Sequence, residues 1–416
     1  MGQETAWRDG GDGWVSRRRL FGVSAAAGLA VAGIGVSAAR GAANAGIVSQ
    51  PASGQLVTAP SAAGVIGANF NNFPDILSVA ELQNVGATWV RGFYPMPGAD
   101  HGGIARQPVI KALLSAAGRG YGTVLSLKFP YNNAPIPRPG TPAMMAAQRR
   151  LAAVLSAVMG KVSILVIGNE PFIECESADR DSARLNAFYE AMAQQAIAYR
   201  AAHTAAGKTQ LFMGALNHLD ESAWRTAATE RWMTYVRGTS AIAGTDIHPH
   251  LPAPGNGSYY LNYILPRMRS DQKFLATEFS LVLYFKNYLN DPVSGSFASR
   301  YHLKSDTRVY QVIQDALKSP FPQRKWTDFL AMSPWFADQK NFVTSQAEQF
   351  RATGKLAVAC YGLGQGDTIA ADKFVPGTTP WLLVSMFCQR TVQRAGNGLP
   401  GQTTDWTSDF RALQHG

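Results

Sequence analysis

The chain has 416 residues, 46% of them hydrophobic and 16% charged. That balance excludes a disordered or fibrous protein and suits one large core. Its net charge of +10 reads either as ordinary surface charge or as a preference for anionic partners such as acidic polysaccharides, cell-wall polymers or lipid headgroups. No dense Lys/Arg tract with interleaved aromatics is present, so nucleic acid is not an expected partner.

The first segment to read is Ser16-Arg17-Arg18-Arg19-Leu20-Phe21-Gly22, followed by an Ala/Gly-rich stretch from Val23 to about Ala39. Paired arginines before a weakly hydrophobic run resemble a twin-arginine export signal, and Ala43-Asn44-Ala45 resembles its cleavage site. Residues 1–45 are therefore set apart from the fold, and residues 46–64 form a Pro/Gly/Ser-bearing linker. The expected location of the mature chain is the periplasm or the extracellular space. Removing residues 1–45 takes away five basic and three acidic groups, leaving 33 − 25 = +8. No later segment is long and apolar enough to predict a stable membrane span.

From residue 65 onward, short apolar runs alternate with amphipathic segments. The runs predict strands at Val65–Phe70, Thr88–Tyr94, Thr123–Phe129, Ser163–Gly168, Gln210–Leu216, Ile242–Ile247, Lys273–Phe279 and Lys355–Tyr361. Between them, Pro108–Ala117, Ala143–Val158 and Arg184–Ala202 repeat apolar residues near every 3.6 positions and predict helices. Eight strand–helix repeats predict an α/β fold, a (β/α)8 TIM barrel spanning 65–416. An open doubly wound sheet competes, but no Gly-rich phosphate loop follows the first strand. Residues 281–354 are too many for one loop and helix, and predict an insertion after strand 7, on the face built by the βα loops. Its Tyr284, Tyr288, Tyr301, Trp326 and Trp335 either wall a cleft or form the core of a helical subdomain. Three cysteines close at most one disulfide, for which Cys360 with Cys388 is the more plausible pair.

Chemistry concentrates at two strand ends. Ser163-Ile164-Leu165-Val166-Ile167-Gly168 runs into Asn169-Glu170-Pro171, and Lys273-Phe274-Leu275-Ala276 runs into Thr277-Glu278. In a barrel such ends converge on one pocket, and two carboxylates there meet the requirement for glycosidic bond cleavage. Glu174 and Glu176, in the loop after strand 4, read as rim charges.

These motifs resemble clan A of the retaining glycoside hydrolases, with some similarity to families 39 and 5. The resemblance implies that Glu170 is the acid/base and Glu278 the nucleophile. It implies that Asn169 bonds the sugar 2-hydroxyl, that Arg91 sits beside the nucleophile, and that His248 on strand 6 lies near it. The clan's tryptophan at the end of strand 8 is missing from Ala359-Cys360-Tyr361, so Tyr361 is the expected sugar floor, and Trp381 reads as packing at the start of the next helix. No cofactor is expected. The substrate implied is a poly- or oligosaccharide.

Two other readings stay open. Asp246, His248 and His250 have spacing suited to zinc in a metal-dependent TIM-barrel hydrolase, with His218 as an added ligand. A barrel that binds glycan without catalysis is the third.

Overall fold

The computed structural model describes residues 58–70, 77–366 and 370–414. The expected export signal and the first part of the linker lie outside the described residues. A strand covered on both faces must be apolar throughout, and Ile164-Leu165-Val166-Ile167 is buried at all four positions. It is one of eight strands in the ring: β1 (Val65–Asn69), β2 (Trp89–Pro95), β3 (Gly122–Lys128), β4 (Ile164–Ile167), β5 (Gln210–Leu216), β6 (Gly244–Ile247), β7 (Lys273–Ala276) and β8 (Leu356–Gly364). Each is parallel to its sequence neighbour, and β8 pairs with β1 to close the ring, so the fold is a (β/α)8 barrel. A short ninth strand, β9 (Ser385–Phe387), lies outside the ring against the far end of β8.

Helices connect the strands, and their ends follow local chemistry. Pro142–Val158 begins with proline at its first turn and Thr141 accepting the Met144 N–H. Ala183–Ala202 begins behind Ser182, which accepts the Leu185 N–H. Its Leu185, Phe188, Tyr189, Met192 and Ala196 recur every three or four residues and are buried against the strands. Six helices occupy the segment between β7 and β8, from Val282–Lys286 to Phe342–Ala352. Within it Trp326 and Trp335 are core residues, packing on Phe329 and Phe285 at 5.5 Å each, and Tyr288 stacks on Trp335.

Two apolar layers result. Trp89, Val124, Ile164, Val166, Phe212, Leu275, Val358 and Cys360 belong to the cluster inside the ring, and a larger cluster fills the space between ring and helices. The layers explain the cysteines. Cys360 lies in the inner cluster and Cys388 in the outer one, with the barrel wall between them, and all three cysteines are free and buried. The expected Cys360–Cys388 bridge is therefore not made.

Period-two alternation along β2 puts Trp89, Arg91 and Phe93 on one face. Trp89 can fill the ring beside β3 because Gly122 has no side chain; a Cβ there would stand 2.1 Å from Trp89 Cε2. Gly122→Ala is expected to overpack this site and destabilise the fold by about 1–3 kcal/mol, read as a lower urea midpoint with an unchanged slope. An unchanged midpoint would show that Trp89 moves without cost.

Candidate active site

The chain leaves β4 through Gly168, whose φ of +108° strains any other residue and whose Cβ would lie 2.0 Å from Gly214 O. Glycine is what lets the following Asn169-Glu170 turn away from the strand end while β5 stays close. Asn169 is buried and Glu170 half-buried. Glu278 follows β7 by two residues, and His248 and His250 follow β6. His250 pairs with Ser280 in an isolated parallel bridge, which continues the β6–β7 register beyond the ring. Arg91, Asn169, Glu170, His248 and Glu278 are thus brought together at the C-terminal end of the barrel.

The centre of the group is the fully buried Arg91 guanidinium. It contacts Glu278 Oε1, donates through Nη2 to Asn169 Oδ1 (2.5 Å) and through Nε to Ser126 Oγ (3.1 Å). Burial would raise the Glu278 pKa, but the His248 and Arg91 charges, together with His250, outweigh it and hold the carboxyl well below its usual range.

Glu170 has a different surround. Its Oε1 accepts from Asn217 Nδ2 (2.7 Å) and lies 3.0 Å from His248 Nδ1. On its other side His248 Nε2 is 2.9 Å from Thr277 Oγ1, which donates to Asp246 Oδ2 at 2.5 Å. Because the Thr277 proton is spent on Asp246, His248 Nε2 must be the donor to Thr277. Nδ1 and Glu170 Oε1 then hold one further proton between them: either His248 is an imidazolium beside a carboxylate, or Glu170 is protonated and donates to a neutral ring. Burial raises the Glu170 pKa, yet the His248 hydrogen bond and charge outweigh it and bring it below its ordinary value. Burial lowers His248, but Glu278, Glu170 and Asp246 outweigh that and raise it. Both shifts favour the imidazolium–carboxylate form of the pair in the free protein.

Two residues that read as peripheral belong to the site. Glu174 is buried rather than a rim charge: its Oε1 accepts from Asn169 Nδ2 (2.6 Å) and Lys128 Nζ (2.8 Å). Burial raises its pKa, opposed by Lys128. Asn169 therefore has its carbonyl on Arg91 and one N–H on Glu174, leaving one N–H for a ligand. The second is Trp381, on a short 3-10 turn after β8. It is 41% exposed and sets its ring edge-to-face on His250 at 4.8 Å. Tyr361 does not line the pocket. It faces the outer layer, 1% exposed, against Phe279 and Trp406, because Cys360 before it faces the ring interior. Phe93 is half-buried, with Arg91 Cζ 5.7 Å and Lys128 Nζ 5.1 Å from its ring centre.

The zinc set expected from the sequence is not assembled. Asp246 is consumed by Thr277, whose N–H and hydroxyl both donate to it, and lies behind His248. His218 instead stacks on Trp224 and pairs with Glu221. Glu170, His248, His250 and Glu278 do offer ligand atoms within 4.8 Å of one another. A cation there would compete with Arg91 for Glu278 and with the Glu170–His248 hydrogen bond.

No protein-family model and no curated protein sequence matches the chain. Solved structures of similar fold include Gas2p of Saccharomyces cerevisiae in complex with laminaritetraose and laminaripentaose (9% identity, TM-score 0.43, 84% of this chain and 62% of that one). Others are a psychrophilic glycoside hydrolase family 10 endo-β-1,4-xylanase (11%, 0.45, 85% and 96%) and the GH53 catalytic domain of Ignisphaera aggregans (12%, 0.43, 86% and 99%). The fold assignment rests on the closed ring itself.

The raised His248 pKa has a consequence for stability. A group that binds its proton more tightly when folded stabilises fully below its unfolded value, about 6.5, and loses that contribution as pH rises through the folded value. The stability gap between the unsubstituted protein and His248→Asn should be widest near pH ~6 and narrow toward pH ~9 in urea unfolding. A gap that widened with pH would contradict the charged pairing of His248.

Proposed function

We propose that the protein is a glycoside hydrolase that cleaves a poly- or oligosaccharide by retaining double displacement, exported through the signal read at residues 17–19. The observation that carries this reading is the pairing of Glu170 and Glu278, each with a carboxylate oxygen within 4.8 Å of the other. Retaining enzymes hold their two carboxyl groups ~5–5.5 Å apart, whereas inverting enzymes need ~6.5–9.5 Å to admit a water.

Glu278, kept ionised by Arg91, attacks the anomeric carbon as the glycosidic bond breaks, forming a glycosyl ester. Glu170 gives a proton to the leaving oxygen. That proton is already present in the Glu170–His248 pair. A saccharide that fills the site and excludes water disfavours the imidazolium–carboxylate form and moves the proton to Glu170. After the first step Glu170 is again a carboxylate and takes a proton from the water that hydrolyses the ester. The free Asn169 N–H suits the 2-hydroxyl of the reacting sugar. Trp381, beside His250, supplies the exposed aromatic face that Tyr361 does not.

Glu278→Gln should lower kcat about 10³-fold or more on any substrate cleaved. Glu170→Gln should cost ~10²–10⁴-fold on substrates with poor leaving groups. Its cost should be far smaller on 4-nitrophenyl glycosides, which need no proton, and azide should restore turnover there. Activity should survive dialysis against EDTA. Equal loss on both substrate types for Glu170→Gln, or activity lost to EDTA and regained with zinc, would overturn the assignment.

A further inference from the structure

On the loops that follow β4 and β5, beside the acid/base, two arginines are fixed without acidic partners. Arg180 donates Nε–H to Phe172 O (3.0 Å) and lays its guanidinium over the Trp224 ring, 4.2 Å from the centre. Arg225 donates Nε–H to Leu219 O (2.7 Å), with Cζ 5.9 Å from the ring centre of the exposed Tyr259. The two carbonyls that hold them are tied to the catalytic pair. Phe172 is two residues beyond Glu170, and Leu219 is two beyond Asn217, which donates to Glu170. Between Asn217 and Leu219, His218 takes a φ of +52°, rare for a residue with a side chain, and stacks on Trp224 at 4.5 Å.

Some arginines elsewhere meet carboxylates, Arg150 with Asp100, Arg231 with Glu190 and Arg267 with Glu230, whereas Arg200, Arg351 and Arg411 donate to backbone carbonyls without an ion pair. Among the described residues neither Arg180 nor Arg225 makes an ion pair. On the β5 loop Glu221 pairs with His218 at 3.0 Å and Asp220 accepts from Asn256 Nδ2 at 3.2 Å. On the β4 loop Asp179 pairs with Arg184 and accepts the Ile136 N–H, while Glu176 and Asp181 flank Arg180 in sequence without forming an ion pair with it. Each guanidinium is held by its Nε edge and lies over an aromatic ring, and among the described residues its Nη groups make no hydrogen bond. A planar, pre-oriented pair of N–H donors matches a carboxylate, to which arginine binds through two parallel hydrogen bonds.

We infer that this Arg180–Trp224–Arg225 shelf is a leaving-group subsite for an acidic sugar, a uronate whose carboxylate bonds the free guanidinium edges. The placement rests on the glycosidase reading, in which the proton donor Glu170 marks the side where the leaving sugar sits. The charge of the chain without residues 1–45, +8 as counted above, fits an acidic polymer as substrate.

The test is calorimetric titration of the full chain carrying Glu170→Gln with four carboxylated tetramers (galacturonate, mannuronate, guluronate and hyaluronan), neutral cellotetraose and laminaritetraose, and a sulfated carrageenan tetramer. At least one carboxylated tetramer should bind about tenfold or more tighter than both neutral ones. Arg180→Gln/Arg225→Gln should abolish that preference, and Arg180→Lys/Arg225→Lys should restore it only in part. Arg324→Gln, at an exposed site on a helix between β7 and β8, should keep it. Equal affinities throughout, a preference that survives the double substitution, or a sulfated tetramer bound as tightly as any carboxylated one would overturn the inference. The two readings separate cleanly: a carboxylated tetramer bound through Arg180 and Arg225 that the unsubstituted protein never cleaves would keep the shelf and remove the glycosidase.

Discussion

A permanently charged guanidinium inside the ring of strands constrains everything around it. Removing an ion from water costs several kcal/mol even after the protein relaxes, and arginine cannot escape that cost by losing its proton. Arg91 must therefore be matched on every side. Ser126 on β3, Asn169 after β4 and Glu278 after β7 each contribute an acceptor. One cation thus sets the relative positions of three strand ends, and the proposed nucleophile doubles as the counterion that lets the cation stay buried. Below it on the same face of β2, Trp89 is buried in the apolar cluster inside the ring.

The same constraint separates the two carboxylates. Glu278 faces the permanent charge of Arg91 in addition to His248 and His250, whereas the contacts of the Glu170 carboxylate are His248 and Asn217. Asp246 and Thr277 complete the chain by fixing which nitrogen of His248 turns toward Glu170. Two chemically identical groups with oxygens within 4.8 Å of each other thus have different surrounds, which is what the opposite tasks proposed for them require. Glu174 and Lys128 hold Asn169 from behind in the same manner, as a pair in which the half-exposed lysine offsets a buried acid.

The ring of strands was readable because buried parallel strands carry runs of β-branched and large apolar residues that helices on the surface do not. Glu170 and Glu278 stood out because strand ends converge in a barrel, while Asn169, Arg91 and His248 came from the resemblance; the structure brings all five together. Other residues escaped for identifiable reasons. Tyr361 was placed on the pocket without regard to parity: once Val358 and Cys360 face the interior, the next residue must face outward. Glu174 N donates to Glu170 O, so one turn of chain brings Glu174 back beside Asn169, a spacing visible in the sequence but not used. Trp381 lies twenty residues beyond Tyr361, on the turn just before β9, and no local pattern announces its contact with His250. Lys128 and Asn217 resemble any other polar residue at a strand end until their partner is known.

The most direct test of this account is the configuration of the sugar first released. Proton NMR of a freshly started reaction on a susceptible oligosaccharide resolves the two anomers before they interconvert. The account predicts that the product initially keeps the anomeric configuration of the bond cleaved, as two successive displacements at Glu278 require. Initial release of the opposite anomer would show that water attacks directly, and that Glu278 is a base rather than the nucleophile.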